Sequence, residues 1–183
     1  QFFDAFELAR KCGFDNINTD LIAGLPTDTP ESFKNSLDSI VRLNAECITV
    51  HTLCMKRASR LTTEGVTLDL QQARDAREML AYTQNILGQN EYIPYYMYRQ
   101  SRMVGNLENV GWSKRGFESL YNVYVMDETH TILACGSGGV TKLKRNNPDY
   151  LERIFNFKYP YEYIDRFDEL IQRKSGIMQF YGQ

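Results

Sequence analysis

The spacing of apolar positions changes along the chain, and each change predicts an element. Over residues 3–12, Phe3, Phe6, Leu8 and Ala9 recur at helical spacing, and Gly13 supplies a stop. A short run over 17–23 holds Leu21 and Ile22 and ends at Gly24, Leu25 and Pro26. It predicts a parallel strand, buried on both faces and closed by a tight turn. Thr29 is placed to cap the next helix, and Pro30 suits its first position, where the missing N–H costs nothing. Over 30–43, Phe33, Leu37, Ile40 and Val41 fall on one helical face. Cys47 to Leu53 is short and β-rich, a second strand. Helix, strand, helix, strand with short loops predicts parallel βαβ units with right-handed crossovers. Two strands cannot close a barrel, so further sheet is expected beyond them.

The second part is less regular. Residues 54–68, with Lys56, Arg57, Arg60 and several Thr, predict a loop, and Asp69 caps a long helix running to about Leu87. Tyr92 to Tyr98 predicts an edge strand, because Pro94 lacks a ladder donor. Residues 99–117 hold Gly105, Asn106, Asn109, Gly111 and Gly116 and read as a long functional loop, with Asn106 to Trp112 as a lid or inter-domain contact. Tyr121–Met126 and Thr131–Cys135 read as two strands of a hairpin, and Val140 to Leu143 as another strand. Asn147-Pro148 is expected to open a helix. Pro160 to about Ser175 predicts a last one with Ile164, Phe167, Leu170 and Ile171 inward. A domain boundary is expected near residue 54.

Composition narrows the function. Of 183 residues, 43% are hydrophobic and 24% charged, enough for a core, and the net charge of −2 offers no basic field to steer nucleic acid. No apolar run reaches the length of a membrane span. Twelve Tyr and ten Phe, many beyond residue 90, predict an aromatic face or pocket in that part. The chain opens with Gln1 and enters a helical pattern without a cap, which reads as the tail of a longer protein. Cys12, Cys47, Cys54 and Cys135 show no metal-finger spacing. Cys12, Cys47 and Cys135 read as buried thiols in a cytoplasmic protein without disulfides.

Among candidate chemical groups, Asp20 stands out as a carboxylate inside an apolar run. Either a backbone N–H or an Arg satisfies it, or it faces a cavity and binds a ligand. His51 and His130 show no carboxylate partner in the sequence; His51, near a strand end, either touches substrate or is structural, and His130 is expected to be exposed in a turn. Gly136-Ser137-Gly138-Gly139 lets backbone approach a ligand or makes a turn; no Gly-Lys-Ser/Thr follows, so it is not a phosphate-binding loop of the Walker type. Tyr95-Tyr96-Met97-Tyr98-Arg99 offers a wall for a flat ligand or a strand at the core edge, with Arg99 and Arg102 as carboxylate partners.

Several of these motifs together resemble a known family. Asp20-Leu21-Ile22-Ala23-Gly24-Leu25-Pro26 with Thr29-Pro30-Glu31-Ser32-Phe33 is similar to the fifth strand and following helix of radical S-adenosylmethionine enzymes related to oxygen-independent coproporphyrinogen III oxidase. Tyr96-Met97-Tyr98-Arg99-Gln100, Asn106-Leu107-Glu108-Asn109-Val110-Gly111 and Cys135-Gly136-Ser137-Gly138-Gly139-Val140-Thr141-Lys142 resemble more specifically its HemZ branch, the coproporphyrinogen dehydrogenases. The resemblance implies an α/β fold: the C-terminal part of a (β/α)6 partial TIM-type barrel over residues 1–53, then a family-specific α+β region over 54–183 with a small antiparallel sheet. It implies S-adenosylmethionine and a [4Fe–4S] cluster in the full-length oxidoreductase, which converts coproporphyrinogen III to protoporphyrinogen IX. Asp20 matches the strand-five aspartate that contacts S-adenosylmethionine. Cys54 aligns with a small residue at the second S-adenosylmethionine site, and Val140 with an aliphatic residue near the adenine. Arg99 and Arg102 are the candidate substrate contacts.

The cluster's CxxxCxxC run is absent from these residues, so no metal ligand or catalytic residue is assigned, and this chain alone is expected to be inactive with no cofactor bound. Two alternatives stand beside the dehydrogenase: a haem-chaperone-like relative, and a non-catalytic binding module reusing the barrel pieces. Neither a nucleic-acid nor a membrane partner is expected. Self-association through exposed sheet edges is.

Overall fold

The structure is a computed structural model, and it describes residues 1–55, 69–99, 103–146 and 149–182. It divides into two compact units, Gln1–Ser119 and Leu120–Gln183. Residue 54, the expected boundary, falls inside the first, because the strand before it is built into one sheet with strands from beyond it.

The first unit contains α1 (Phe2–Lys11), β1 (Asn18–Ala23), α2 (Pro30–Arg42), β2 (Cys47–Thr52), α3 (Leu70–Gln89), β3 (Ile93–Tyr98) and β4 (Asn109–Ser113). β1 and β2 are parallel, as the βαβ pattern requires, with Asp20 level with Thr49 and Ile22 level with His51. The sheet order is β1-β2-β4-β3, and β4 runs antiparallel to both of its neighbours. Helix α2 starts where the sequence says: Thr29 and Ser32 form a reciprocal capping box and Pro30 occupies the first turn. Asp69 caps α3 in the same way. Phe33, Leu37 and Ile40 of α2 join Met79 and Leu87 of α3 against Ile48, Val50 and Trp112 of the sheet. The core is therefore on one face of the sheet. Arg10 of α1 reaches Glu46 through both carboxylate oxygens at 2.7 Å, and Glu46 also accepts the Ile17 N–H at 3.0 Å.

Two expectations change here. β1 is not buried on both faces: Thr19 and Ala23 are buried with Leu21 half-buried, while Asn18, Asp20 and Ile22 are exposed. The apolar pair Leu21-Ile22 straddles the pleat, since neighbouring side chains point to opposite faces. Residues 99–117 are not one long loop either. Asn109–Ser113 is a central strand, and Trp112 is in the core rather than on a lid. Its Gly and Asn mimic a loop, but their places are specific: Asn109 Oδ1 accepts the Thr52 N–H at 2.7 Å.

The second unit contains α4 (Leu120–Asp127), β5 (Val140–Asn146), β6 (Asp149–Phe155), α5 (Pro160–Asp165), α6 (Phe167–Lys174) and α7 (Gly176–Tyr181). Tyr121–Met126 is helix, not strand; a short apolar run carries no period to tell the two apart. Thr131–Cys135 meets β5 at one bridge, Ile132 with Lys142, instead of pairing with 121–126. The hairpin is β5–β6, in register from Val140↔Phe155 to Asn146↔Asp149. Asn147 and Pro148 lie outside the described residues, and β6 begins directly after them in place of the expected helix. The last helix is broken at Arg166, whose φ of −113° and ψ of 33° are not helical, and of its expected inward residues Leu170 is buried while Ile164, Phe167 and Ile171 are exposed. Cys12 and Cys135 are exposed, against expectation; Cys47 is buried, its thiol 3.1 Å from the Phe117 carbonyl. No helix among the described residues is long and apolar enough to cross a membrane.

Candidate functional site

The sheet face opposite the helices is polar, and the pleat explains which residues reach it. β1 places Asn18 and Asp20 there, β2 places Thr49 and His51, β3 places Tyr96 and Tyr98, and β4 contributes Gly111 between them. Gly111 is required by close approach: a Cβ there would stand 1.8 Å from Cε1 of Tyr96, whose ring covers that part of β4. The Tyr96 and Tyr98 rings lie 6.3 Å apart and 8° from parallel, forming an aromatic wall.

Polar contacts join these strands. Asn18 donates to Asp20 Oδ1 at 2.7 Å, Thr49 Oγ1 donates to Asn18 Oδ1 at 3.1 Å, and Thr49 and Tyr96 share a hydroxyl contact at 3.2 Å. His51 Nε2 lies 3.7 Å from Asp20 Oδ2, and His51 Nδ1 lies 3.2 Å from the Tyr98 hydroxyl. The Asp20 side chain nevertheless keeps 58% of its surface exposed. His51 beside it holds the Asp20 carboxyl below the usual carboxylate range; partial burial opposes this, and the Asn18 amide adds to it. Burial pushes the Tyr96 and Tyr98 hydroxyls up, so both stay protonated donors at neutral pH.

Among the described residues Asp20 has partners, none of them an Arg, and it lines a pocket of about 460 Å³ with Phe2 and Phe3 of α1 and Ser36, Ser39 and Ile40 of α2. His51, read from sequence as partnerless, faces Asp20. Cys54 is half-buried just beyond β2, in a bridge with Met103. Val140 is half-buried at the start of β5, in the second unit, paired with Phe155. Arg99 binds Glu108 at 2.6 Å and lines a cavity of about 340 Å³ with Val50, Leu80 and Trp112, residues of the helix-covered face. Arg102 lies outside the described residues. The glycines before Val140 form a turn: Gly136 and Gly138 have φ of 89° and 72°, and Asn156 Nδ2 donates to the Gly136 carbonyl at 2.7 Å. His130 sits in an exposed turn, with its ring 4.0 Å from that of Tyr124.

Sequence reasoning missed Asn18 and Thr49, placed Asn109 and Gly111 in a loop instead of a strand, and undervalued His51. A signal existed: Asn18/Asp20, Thr49/His51 and Tyr96/Tyr98 are each two apart, so three strands turn polar positions to one face.

Comparison with known proteins relates the chain to the coproporphyrinogen-III oxidase group. It is 36% identical over 176 residues to the oxygen-independent coproporphyrinogen-III oxidase-like protein HemZ of Bacillus subtilis strain 168, covering 96% of this chain and 35% of that protein. It is 30% identical over 156 residues to the heme chaperone HemW of Lactococcus lactis subsp. lactis strain IL1403, covering 80% of this chain and 37% of the chaperone. In fold it resembles the solved coproporphyrinogen III oxidase HemN of Escherichia coli, a radical SAM enzyme, with a TM-score of 0.61 at 19% identity, covering 92% of this chain and 37% of the oxidase. No family model matches. The chain spans about a third of the length of each of these three proteins.

Proposed function

We infer that this chain is part of a radical S-adenosylmethionine protein of the oxygen-independent coproporphyrinogen-III oxidase group, close to HemZ, and that residues 1–53 hold the last two strands and helices of its partial barrel, with 54–183 as the family-specific region. The observation that carries this is the match to HemZ along 96% of the chain. The parallel β1–β2 pair, with helices on one face and polar side chains on the other, is what a barrel segment presents to its interior.

The donor set of that face suits S-adenosylmethionine. Asp20 offers an ionised, half-exposed carboxylate, an acceptor for the hydroxyl or amino groups of a nucleoside. In this reading Asp20 orients the cofactor, and Cys54 and Val140 are cofactor contacts only as the family resemblance implies them. A [4Fe–4S] cluster does not fit these residues: such clusters are held by converging thiolates, and Cys12, Cys47, Cys54 and Cys135 make no CxxxCxxC run. When bound, cluster and S-adenosylmethionine supply the radical chemistry by which a propionate of coproporphyrinogen III becomes a vinyl group. Arg99 and Arg102 are the propionate partners in this reading; at Arg99 a propionate would take the place of Glu108.

The test is anaerobic assay of the full-length protein, loaded with iron and sulfide, on coproporphyrinogen III. The dehydrogenase reading expects 5′-deoxyadenosine, CO2 and protoporphyrinogen IX. The match to a heme chaperone favours a second reading, in which the same protein binds haem tightly and yields no decarboxylated product.

A further inference from the structure

Tyr98, His51 and Asp20 stand in line on three strands. The Tyr98 hydroxyl is 3.2 Å from His51 Nδ1, and His51 Nε2 is 3.7 Å from Asp20 Oδ2. This line has a direction. A phenol that keeps its proton can donate to Nδ1, and a neutral imidazole that accepts at Nδ1 carries its own proton on Nε2, the nitrogen facing the carboxylate. The opposite tautomer would turn a lone pair toward an anion. The second carboxylate oxygen is also addressed: Oδ1 takes the Asn18 amide, itself oriented by Thr49. Both oxygens of Asp20 are therefore met from the sheet, while more than half of the side chain remains exposed. Arrangements of this kind, a polar group held by a His held in turn by a third residue, fix the direction of the group that meets the ligand.

We propose that His51, locked as its Nε2–H tautomer by Tyr98, is the positioning residue that aims the Asp20 carboxylate at the nucleoside hydroxyl or amino donors of S-adenosylmethionine. This rests on the reading of Asp20 given above. Neither His51 nor Tyr98 need touch the ligand, and their effect passes through Asp20. Strand bracing alone is the competing role, and it differs in what can substitute. Bracing requires only bulk, which His51→Leu keeps, whereas aiming requires a donor at the Nε2 place, which glutamine supplies and leucine does not. Parent-like binding by His51→Leu is the bracing outcome and overturns the inference.

The experiment is equilibrium dialysis of labelled S-adenosylmethionine against the full-length, cluster-loaded protein, with ¹⁵N spectra of the His51 ring as a second readout. Loss of a donor to a charged acceptor predicts about tenfold weaker binding for His51→Ala and about threefold for Tyr98→Phe, with His51→Gln back within about twofold of the parent. The ring spectrum is expected to show the Nε2–H tautomer in the parent and a mixture in Tyr98→Phe. Parent-like binding by His51→Ala, failure of His51→Gln to rescue, or an Nδ1–H ring in the parent would each overturn the inference while leaving the family reading intact. A cluster-loaded parent that binds no S-adenosylmethionine overturns the family reading, and this inference with it.

Discussion

Asp20 and Gly111 show how much single positions decide on the polar face. The folded-state pKa of Asp20 lies below its ordinary value, so the ionised form is favoured by folding. Its contribution to stability is present above the ordinary carboxylate pKa and is lost as pH falls through the depressed folded value. A carboxyl ¹³C titration should therefore find the Asp20 midpoint below that of an unfolded peptide, and Asn18→Ala, which removes the donor at Oδ1, should raise it. A midpoint at or above the peptide value would mean that His51 and Asn18 do not act on it. Gly111 is decided by space rather than charge. An alanine Cβ overlapping the Tyr96 ring forces that ring off β4, and overpacking of this kind costs about 2 kcal/mol. Gly111→Ala should unfold earlier in urea by that amount, and Gly111→Ala with Tyr96→Ala should recover much of it, because the obstruction is then gone.

At the scale of elements, what sequence made legible depends on how each element is specified. α1, β1, α2 and β2 are local: helical spacing, the Thr29–Ser32 cap and short apolar runs determine them, and the structure has them within a residue or two. β4 is specified by its neighbours instead. A strand holding Asn109 and Gly111 has weak intrinsic preference, and it forms because β2 and β3 supply the ladder on both sides. α4 and β6 escape sequence reasoning for a related reason, since elements of eight and seven residues carry too little period. The site is half legible. Asp20 stands out by its chemistry, but its link to His51 depends on the parallel register that sets Ile22 level with His51, which no linear pattern displays. One tie between elements is equally invisible. Glu46, 11% exposed at its side chain, holds Arg10 of α1 and the Ile17 N–H before β1. Burial pushes its carboxyl up, but Arg10 and the Ile17 N–H outweigh this and leave it low. Glu46→Gln leaves Arg10 without its counter-charge and should cost about 2 kcal/mol in urea unfolding at pH 7. The difference should shrink as pH falls through the folded Glu46 pKa, where the parent carboxylate is itself lost.

At the scale of the whole molecule, the division of labour between the two units predicts what each can do apart. Among the described residues, the Asp20 network from Asn18 to Gly111 lies before residue 120, and so does the main core cluster. The chain's one tryptophan, Trp112, is buried in that core and reports on it selectively. Residues 1–119 made alone should therefore fold, with a Trp112 unfolding midpoint close to that of the 183-residue chain and the same His51 ring tautomer. A shifted midpoint with a changed tautomer would show that the second unit holds the polar face together. Neither form should cleave S-adenosylmethionine when supplied with iron and sulfide, because aiming a carboxylate at a nucleoside does not replace the converging thiolates that a cluster needs. Appearance of 5′-deoxyadenosine from the 183-residue chain, in proportion to bound iron, would require Cys12, Cys47, Cys54 and Cys135 to assemble a cluster despite their spacing. It would also move the radical-generating step into these 183 residues.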